Sequence, residues 1–180
     1  MRRGFVGHKA AQVFRAPMRR AAMLAQRLDL ALNGGGLERP NGPVAVFHPM
    51  VGSDLSELGQ VTVITPLAPV RDAFLSVGMA CETAPAERYV LSVVCLPRAK
   101  AEARALVAAA VACTDGPVVV DGQKTDGIDS ILRDLRKRVE VSAPISKAHG
   151  KMFWIAPGQD LADWDQGPAL TSGGFWTAPG

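Results

Sequence analysis

Basic and imidazole side chains recur at three points where the chain is predicted to leave a strand or to reverse in a hairpin. The set comprises Arg98, Lys100, Lys124, Lys147, His149 and Lys151. Lysine and arginine attract phosphate groups with little regard for base sequence. The pattern therefore predicts a phosphate-contacting surface. The alternatives are that these side chains only pair with nearby carboxylates, keep a hairpin solvated or contact another domain.

The elements that would position these residues alternate between strands and helices. Short apolar runs predict strands at 44–47, 61–64, 81–83, 89–96 and 118–120, and a hairpin over 142–155. Helical spacing of apolar residues predicts helices over 18–32, 70–77, 99–113 and 126–139. Such alternation indicates an α/β protein with a mostly parallel sheet and helices on both faces. With seven strands and an antiparallel last strand, it resembles the Rossmann-like class I methyltransferase fold.

The positive charge is concentrated at the start of the chain. Residues 1–27 contain seven basic and no acidic residues, which leaves 13 basic and 17 acidic residues in the rest of the chain. This excludes a uniformly cationic nucleic-acid-binding protein but allows a local basic surface. The three cysteines have neither metal nor disulfide spacing, and no apolar run is long enough to span a membrane. We therefore expect a cytoplasmic protein with no metal and no membrane partner.

The loops at the predicted strand ends lack the residues with which class I methyltransferases hold S-adenosylmethionine. The loop after the first strand reads HPMVGS over 48–53, with one glycine where a glycine-rich turn is expected. The second strand ends in ITPL over 64–67, without an acidic residue for the ribose. The fourth is followed by CLPRAK over 95–100 rather than an Asn-Pro-Pro-aromatic turn. We therefore expect no catalytic residues and no cofactor bound by this chain.

Three motifs occur in a fixed order: LPRAKAEA over 96–103, VVDGQK over 119–124 followed by GIDS over 127–130, and SKAHGK over 146–151. Together they resemble the N-terminal domain of the bacterial 16S ribosomal RNA guanine-N2 methyltransferases, whose second, "methyltransferase small" domain is catalytic. The resemblance covers roughly residues 20–175. It implies a non-catalytic domain that recognises rRNA or supports the catalytic domain, with S-adenosylmethionine bound by that second domain.

The resemblance also implies the partners and the domain boundaries. The partners are the chain's own C-terminal methyltransferase domain and 16S rRNA, to which the six basic residues would bind. Residues 1–17 are expected to form a disordered basic extension, 18–156 a degenerate methyltransferase-like domain, and 157–180 a linker toward a catalytic domain outside these 180 residues. Two alternatives remain: a purely intramolecular folding platform without RNA contact, and an independent enzyme that binds a small molecule.

Overall fold

The computed structural model describes residues 8–165, 169–170 and 176–177, and their side chains from residue 20 to residue 165. The α-helices of this part are α1 (His8–Leu32), α2 (Ala68–Ser76), α3 (Lys100–Cys113) and α4 (Ile128–Leu135). The strands of the main sheet are β1 (Val44–Phe47), β2 (Val61–Ile64), β3 (Ala80–Glu82), β4 (Leu91–Cys95), β5 (Val118–Gln123), β6 (Ile145–Lys147) and β7 (Gly150–Ile155). A separate ladder pairs β8 (Ala169–Leu170) with β9 (Trp176–Thr177).

The main sheet has the strand order β3-β2-β1-β4-β5-β7-β6. Strands β1 to β5 are parallel to their neighbours, whereas β7 is antiparallel to both β5 and β6. Because the order reverses between β1 and β4, a crevice opens beyond the carboxyl ends of these two strands. The predicted α/β fold, with one antiparallel strand in a seven-stranded sheet, is confirmed.

Both faces of the sheet are covered, because successive residues of a strand point to opposite sides. Val44 and Val46 of β1 join a core cluster with residues of α1 and α2, while Ala45 and Phe47 join another with residues of α3 and α4. All four of these side chains are buried. This double burial explains why the central strands read as continuous Val-rich runs rather than as alternating patterns.

Helix α1 begins at His8, ten residues before the predicted start at residue 18. The added segment, 8–17, contains three alanines, one arginine and one lysine, all of which favour a helix. Residues 1–7 of the expected extension lie outside the described residues. The expected helix over 126–139 is shorter, because Gly127 has a left-handed backbone (φ 79°) and separates a 3-10 turn, Lys124–Asp126, from α4.

The first part of the expected linker belongs to the domain core. Leu161 and Trp164 are buried in the cluster that contains α3 and α4. The guanidinium of Arg104 lies 5.1 Å from the centroid of the Trp164 ring, and that of Arg138 lies 5.9 Å from it. Phe175 and the side chain of Trp176 lie outside the described part.

None of the described helices is both long enough and apolar enough to cross a membrane.

Candidate functional site

The carboxyl edge of the sheet is organised around a buried ion pair between α1 and β5. Arg27 reaches across from α1, and its Nε and Nη2 donate to Asp121 Oδ1 and Oδ2 at 2.5 and 2.9 Å. The two side chains are only 1% and 7% exposed. Burial raises the pKa of Asp121, and the Arg27 guanidinium opposes that shift. The pair therefore fixes α1 against β5 near the carboxyl end of that strand.

The 3-10 turn Lys124–Asp126, hereafter the β5–α4 turn, carries a second buried carboxylate. Asp126 is 5% exposed, lies 3.2 Å from Arg20 Nη2 and 3.8 Å from Arg98 Nε, and accepts a hydrogen bond from the Gln123 backbone N–H at 3.2 Å. Arg98 itself is 78% exposed. Arginines from α1 and from the loop after β4 thus converge on the β5–α4 turn.

Three of the six predicted residues meet beside this turn. Lys147 is the last residue of β6 and His149 lies in the turn of the β6–β7 hairpin, and the Lys124 backbone N–H donates to the His149 carbonyl at 3.1 Å. All three side chains are exposed. No carboxylate with a described side chain lies within ion-pairing distance of Lys124, Lys147 or His149. The charges of Lys124 and Lys147 are available to a partner.

The other lysines of the predicted set are tied to α4. Lys100 Nζ lies 2.9 Å from Asp134 Oδ2, and Lys151 Nζ lies 2.5 Å from Asp129 Oδ1. Hydrogen bonds from Lys100 and Arg104 lower the pKa of Asp134 to about 2. The alternative that these side chains only pair with carboxylates therefore applies to Lys100 and Lys151, and the partners of both belong to α4. Whether any of the six binds RNA stays a prediction.

Sequence reasoning missed Arg27, which it counted as part of a basic tail. Its position carries a usable signal, since Arg27 lies three residues after Leu24 and four before Ala31 on the buried face of α1. Asp121 follows directly on the apolar run 118–120, where the sequence favours a turn at Asp121-Gly122, but the structure extends β5 through both residues. A charged residue on the apolar face of a helix and an acid at the end of a buried strand are expected to pair.

The crevice beyond β1 and β4 has a volume of about 210 Å³ and is floored by the Arg27–Asp121 pair. His48 follows β1 with a left-handed backbone (φ 52°), and its Nδ1 lies 3.6 Å from Glu102 Oε1. Burial lowers the pKa of His48, and Glu102 opposes the shift. Ser53 also lines the crevice; its Oγ is buried without a hydrogen-bond partner among the described residues.

Comparison of the sequence with family models and with curated proteins finds no match. Solved structures do match. The 16S rRNA N2 G1207 methyltransferase (RsmC) of T. thermophilus, in complex with AdoMet and guanosine, aligns with a TM-score of 0.58 and 20% identity over 76% of this chain and 39% of its own. An rRNA methylase from Escherichia coli aligns at 0.57 and 14% over 83% and 73% of the two chains. The glycopeptide N-methyltransferase MtfA, complexed with S-adenosyl-L-methionine, aligns at 0.54 and 14% over 78% and 87%.

This chain has the class I methyltransferase fold. It spans about two fifths of the T. thermophilus enzyme. The expectation that no cofactor is bound by this chain is wrong as it was argued, because the same fold holds AdoMet or S-adenosyl-L-methionine in two of these structures. The loop pattern alone was too narrow a criterion: it tested for particular residues in the turns, whereas the crevice itself is set by the strand order.

The crevice is better suited to the amino-acid part of S-adenosylmethionine than to its ribose. Arg98 and Asp126 would hold the carboxylate and the ammonium of its amino-acid part, and Ser53 offers an unpartnered buried hydroxyl. The end of β2, followed by Thr65-Pro66-Leu67, offers no carboxylate for the ribose. The volume is also below the roughly 300 Å³ at which ligand pockets usually begin.

Proposed function

We propose that this chain is the N-terminal rRNA-recognition domain of an S-adenosylmethionine-dependent rRNA methyltransferase, paired with a C-terminal catalytic domain of the same protein. The observation that carries the proposal is a group of exposed side chains at the carboxyl edge of a methyltransferase fold, Lys124, Lys147 and His149, none of which forms an ion pair with the side chains described between residues 20 and 165. The likeness to two rRNA methyltransferases supports the choice of rRNA as partner.

Charge distribution favours RNA over a general role in solubility. The chain after residue 27 has more acidic than basic residues, so a local group of free cations stands out against its surroundings. Seven of the 13 lysines and arginines after residue 27 lie within 4.0 Å of a carboxylate in the described part of the chain, and Lys100 and Lys151 are among them. Free Lys side chains beside one rigid hairpin are suited to a phosphate backbone, which attracts them through counterion release.

The proposal is tested by measuring the affinity for 16S rRNA fragments over a series of salt concentrations. In a Lys124→Glu/Lys147→Glu variant we expect weaker binding and a slope of log K against log[salt] that is smaller by about 1.5, because two phosphate contacts are lost. The matched control is Arg136→Glu/Lys137→Glu, which makes the same charge change at two exposed residues just past the end of α4. The control is expected to bind like the wild type.

Equal losses in the two variants would show a general charge effect and contradict the proposal. Absence of salt-dependent binding by the unaltered chain would also reject it, and would favour the folding platform. The platform predicts in addition that a catalytic domain is insoluble alone and becomes soluble when it is co-expressed with this chain.

A second candidate function is binding of S-adenosylmethionine in the crevice. The observation that favours it is the buried Ser53 hydroxyl, which has no hydrogen-bond partner in the described part of the chain, since such groups are uncommon in folded proteins and usually meet water or a ligand. Calorimetric titration with S-adenosylmethionine tests it, with Ser53→Ala as the variant expected to bind more weakly. No binding heat at millimolar cofactor would remove this candidate and leave the RNA proposal untouched.

A further inference from the structure

The turn at the tip of the β6–β7 hairpin has an unusual backbone for its sequence. Lys147 pairs with Gly150, so that two residues, Ala148 and His149, form the turn. Both have positive φ angles, 52° and 59°. This is the pattern of a type I′ turn, for which Asn-Gly is the preferred sequence. Histidine tolerates the left-handed region better than most residues, but alanine gains nothing there to offset its strain.

Neighbouring groups hold the tip in this conformation. Arg27 Nη1 donates to the Lys147 carbonyl at 3.0 Å, and the Lys124 N–H donates to the His149 carbonyl at 3.1 Å. The Gln123 side-chain amide is oriented so that its nitrogen donates to the carbonyls of Ala148 and His149 at 3.0 and 3.1 Å, while its oxygen accepts from Arg27 Nη2 at 3.3 Å. A strained backbone persists only when its surroundings over-determine it, and such strain concentrates at functional sites.

Close packing beneath the tip removes the remaining freedom. A β-carbon at Gly150 would lie 2.6 Å from the Gly122 carbonyl oxygen and 2.8 Å from Arg27 Nη1. The tip therefore rests directly on the end of β5 and on the buried guanidinium. All of these contacts use the backbone of the tip, so they fix where the exposed His149 side chain starts without engaging its ring.

The ring of His149 has no structural task among the residues whose side chains are described. No hydrogen bond or ion pair joins its imidazole to any of them, and the residue is exposed. Two lysines lie close to it along the backbone: Lys147 precedes it by two residues, and the Lys124 N–H donates to its carbonyl at 3.1 Å. An exposed, flat, amphipathic ring on a fixed backbone, with two lysines nearby, matches the way in which proteins read unpaired RNA bases, by stacking and by hydrogen bonds to base edges.

We propose that His149 contacts an unpaired base of the RNA, and that the strained turn serves to present it. The inference rests on the proposed rRNA recognition and adds to it the kind of RNA: a loop, bulge or single strand rather than a continuous duplex. The lysines beside it bind phosphate in either kind of RNA, whereas the imidazole discriminates between them.

The test uses the full chain, a single-stranded RNA oligonucleotide and a blunt RNA duplex with the same number of phosphates. His149→Asn keeps a residue that tolerates positive φ but removes the ring. We expect it to retain its melting temperature, to bind the single strand about tenfold more weakly, and to bind the duplex unchanged. Ala148→Asn, the matched control, retains the ring, and we expect it to melt a few degrees higher and to bind both RNAs like the wild type.

The possible results separate this inference from the function on which it rests. If Lys124→Glu/Lys147→Glu weakens binding and His149→Asn does not, the rRNA function stands and the base contact is wrong. If His149→Asn weakens both RNAs equally, the imidazole acts as one more phosphate ligand and the inference is also wrong. If the unaltered chain binds neither RNA, the proposed function and the inference fail together.

Discussion

Replacement of Arg27 by methionine would expose how strongly the domain depends on its buried ion pair. Methionine fills much of the space of the arginine stem but leaves the Asp121 carboxylate without its two hydrogen bonds of 2.5 and 2.9 Å. The Lys147 carbonyl also loses its donor at 3.0 Å. Removing one partner of a buried pair typically costs about 3–5 kcal/mol. For a chain of this size that corresponds to a fall in melting temperature of about 6–20 °C.

The loss is expected to depend on pH, because an unpaired buried Asp121 can relieve its desolvation by taking up a proton. Burial already raises the pKa of Asp121, and removal of the guanidinium raises it further. A carboxyl whose pKa is higher in the folded state loses stability as the pH rises from the unfolded pKa through the folded one. The destabilisation by Arg27→Met should therefore be larger at pH 8 than at pH 5.

Urea unfolding of the wild type and of Arg27→Met at both pH values measures these differences directly. The control is Arg39→Met, which removes an exposed ion pair with Glu57 whose side chains are 54% and 42% exposed; we expect a change of less than about 1 kcal/mol at either pH. Equal losses in the two variants, or a loss in Arg27→Met that is the same at pH 5 and pH 8, would refute the reasoning.

Three further predictions concern other parts of the domain. Trp164→Ala should lower the free energy of unfolding by about 3–5 kcal/mol, because the ring is buried and Arg104 packs on it. A loss below about 1 kcal/mol in urea unfolding, as expected for an exposed side chain, would mean that the segment around Trp164 does not belong to the core. Gly150→Ala should destabilise by about 1–3 kcal/mol in thermal melts, since its β-carbon would lie 2.6 Å from a backbone oxygen of β5, and a neutral effect would contradict that packing. Asp134→Asn should make stability depend less on pH as the pH falls from about 4 toward 2. Lys100 and Arg104 lower the pKa of Asp134 to about 2, so its ionised carboxylate stabilises the fold above the unfolded pKa, and this stabilisation is lost on acidification. Circular dichroism during acid titration measures this dependence. If the wild type and Asp134→Asn unfold over the same pH range, the pairing of Asp134 with Lys100 and Arg104 is contradicted.

The strands were predictable because burial on both faces leaves a strong trace in sequence. The apolar runs at 44–47 and 61–64 match β1 and β2 to the residue. The parallel sheet followed from the alternation of strands and helices, and the antiparallel last strand followed from the final hairpin. Boundaries were less secure where capping decides them: Gly127 divides the stretch from Lys124 to Leu135 into a turn and a helix, and helical spacing alone does not reveal this.

The location of the candidate site was predictable from the sequence, but the ion pairs within it were not. Topology placed the loop after β5 and the hairpin tip at one edge, which the structure brings together. The pairing of Lys100 with Asp134 and of Lys151 with Asp129 depends on how α4 packs, which periodicity does not specify. The contact of Arg27 with Asp121 joins residues 94 positions apart and requires the complete fold.

That separation has a consequence for how the domain is made. Helix α1 leaves the ribosome well before two of the strands on which it packs, β6 and β7. At about 5–20 residues per second, more than a hundred residues of delay correspond to several seconds or more. During this interval the apolar stripe around Leu24 and Leu28 has no completed partner surface. The nascent chain is therefore expected to need shielding by a chaperone, and its sheet to close in a single late step when the hairpin arrives.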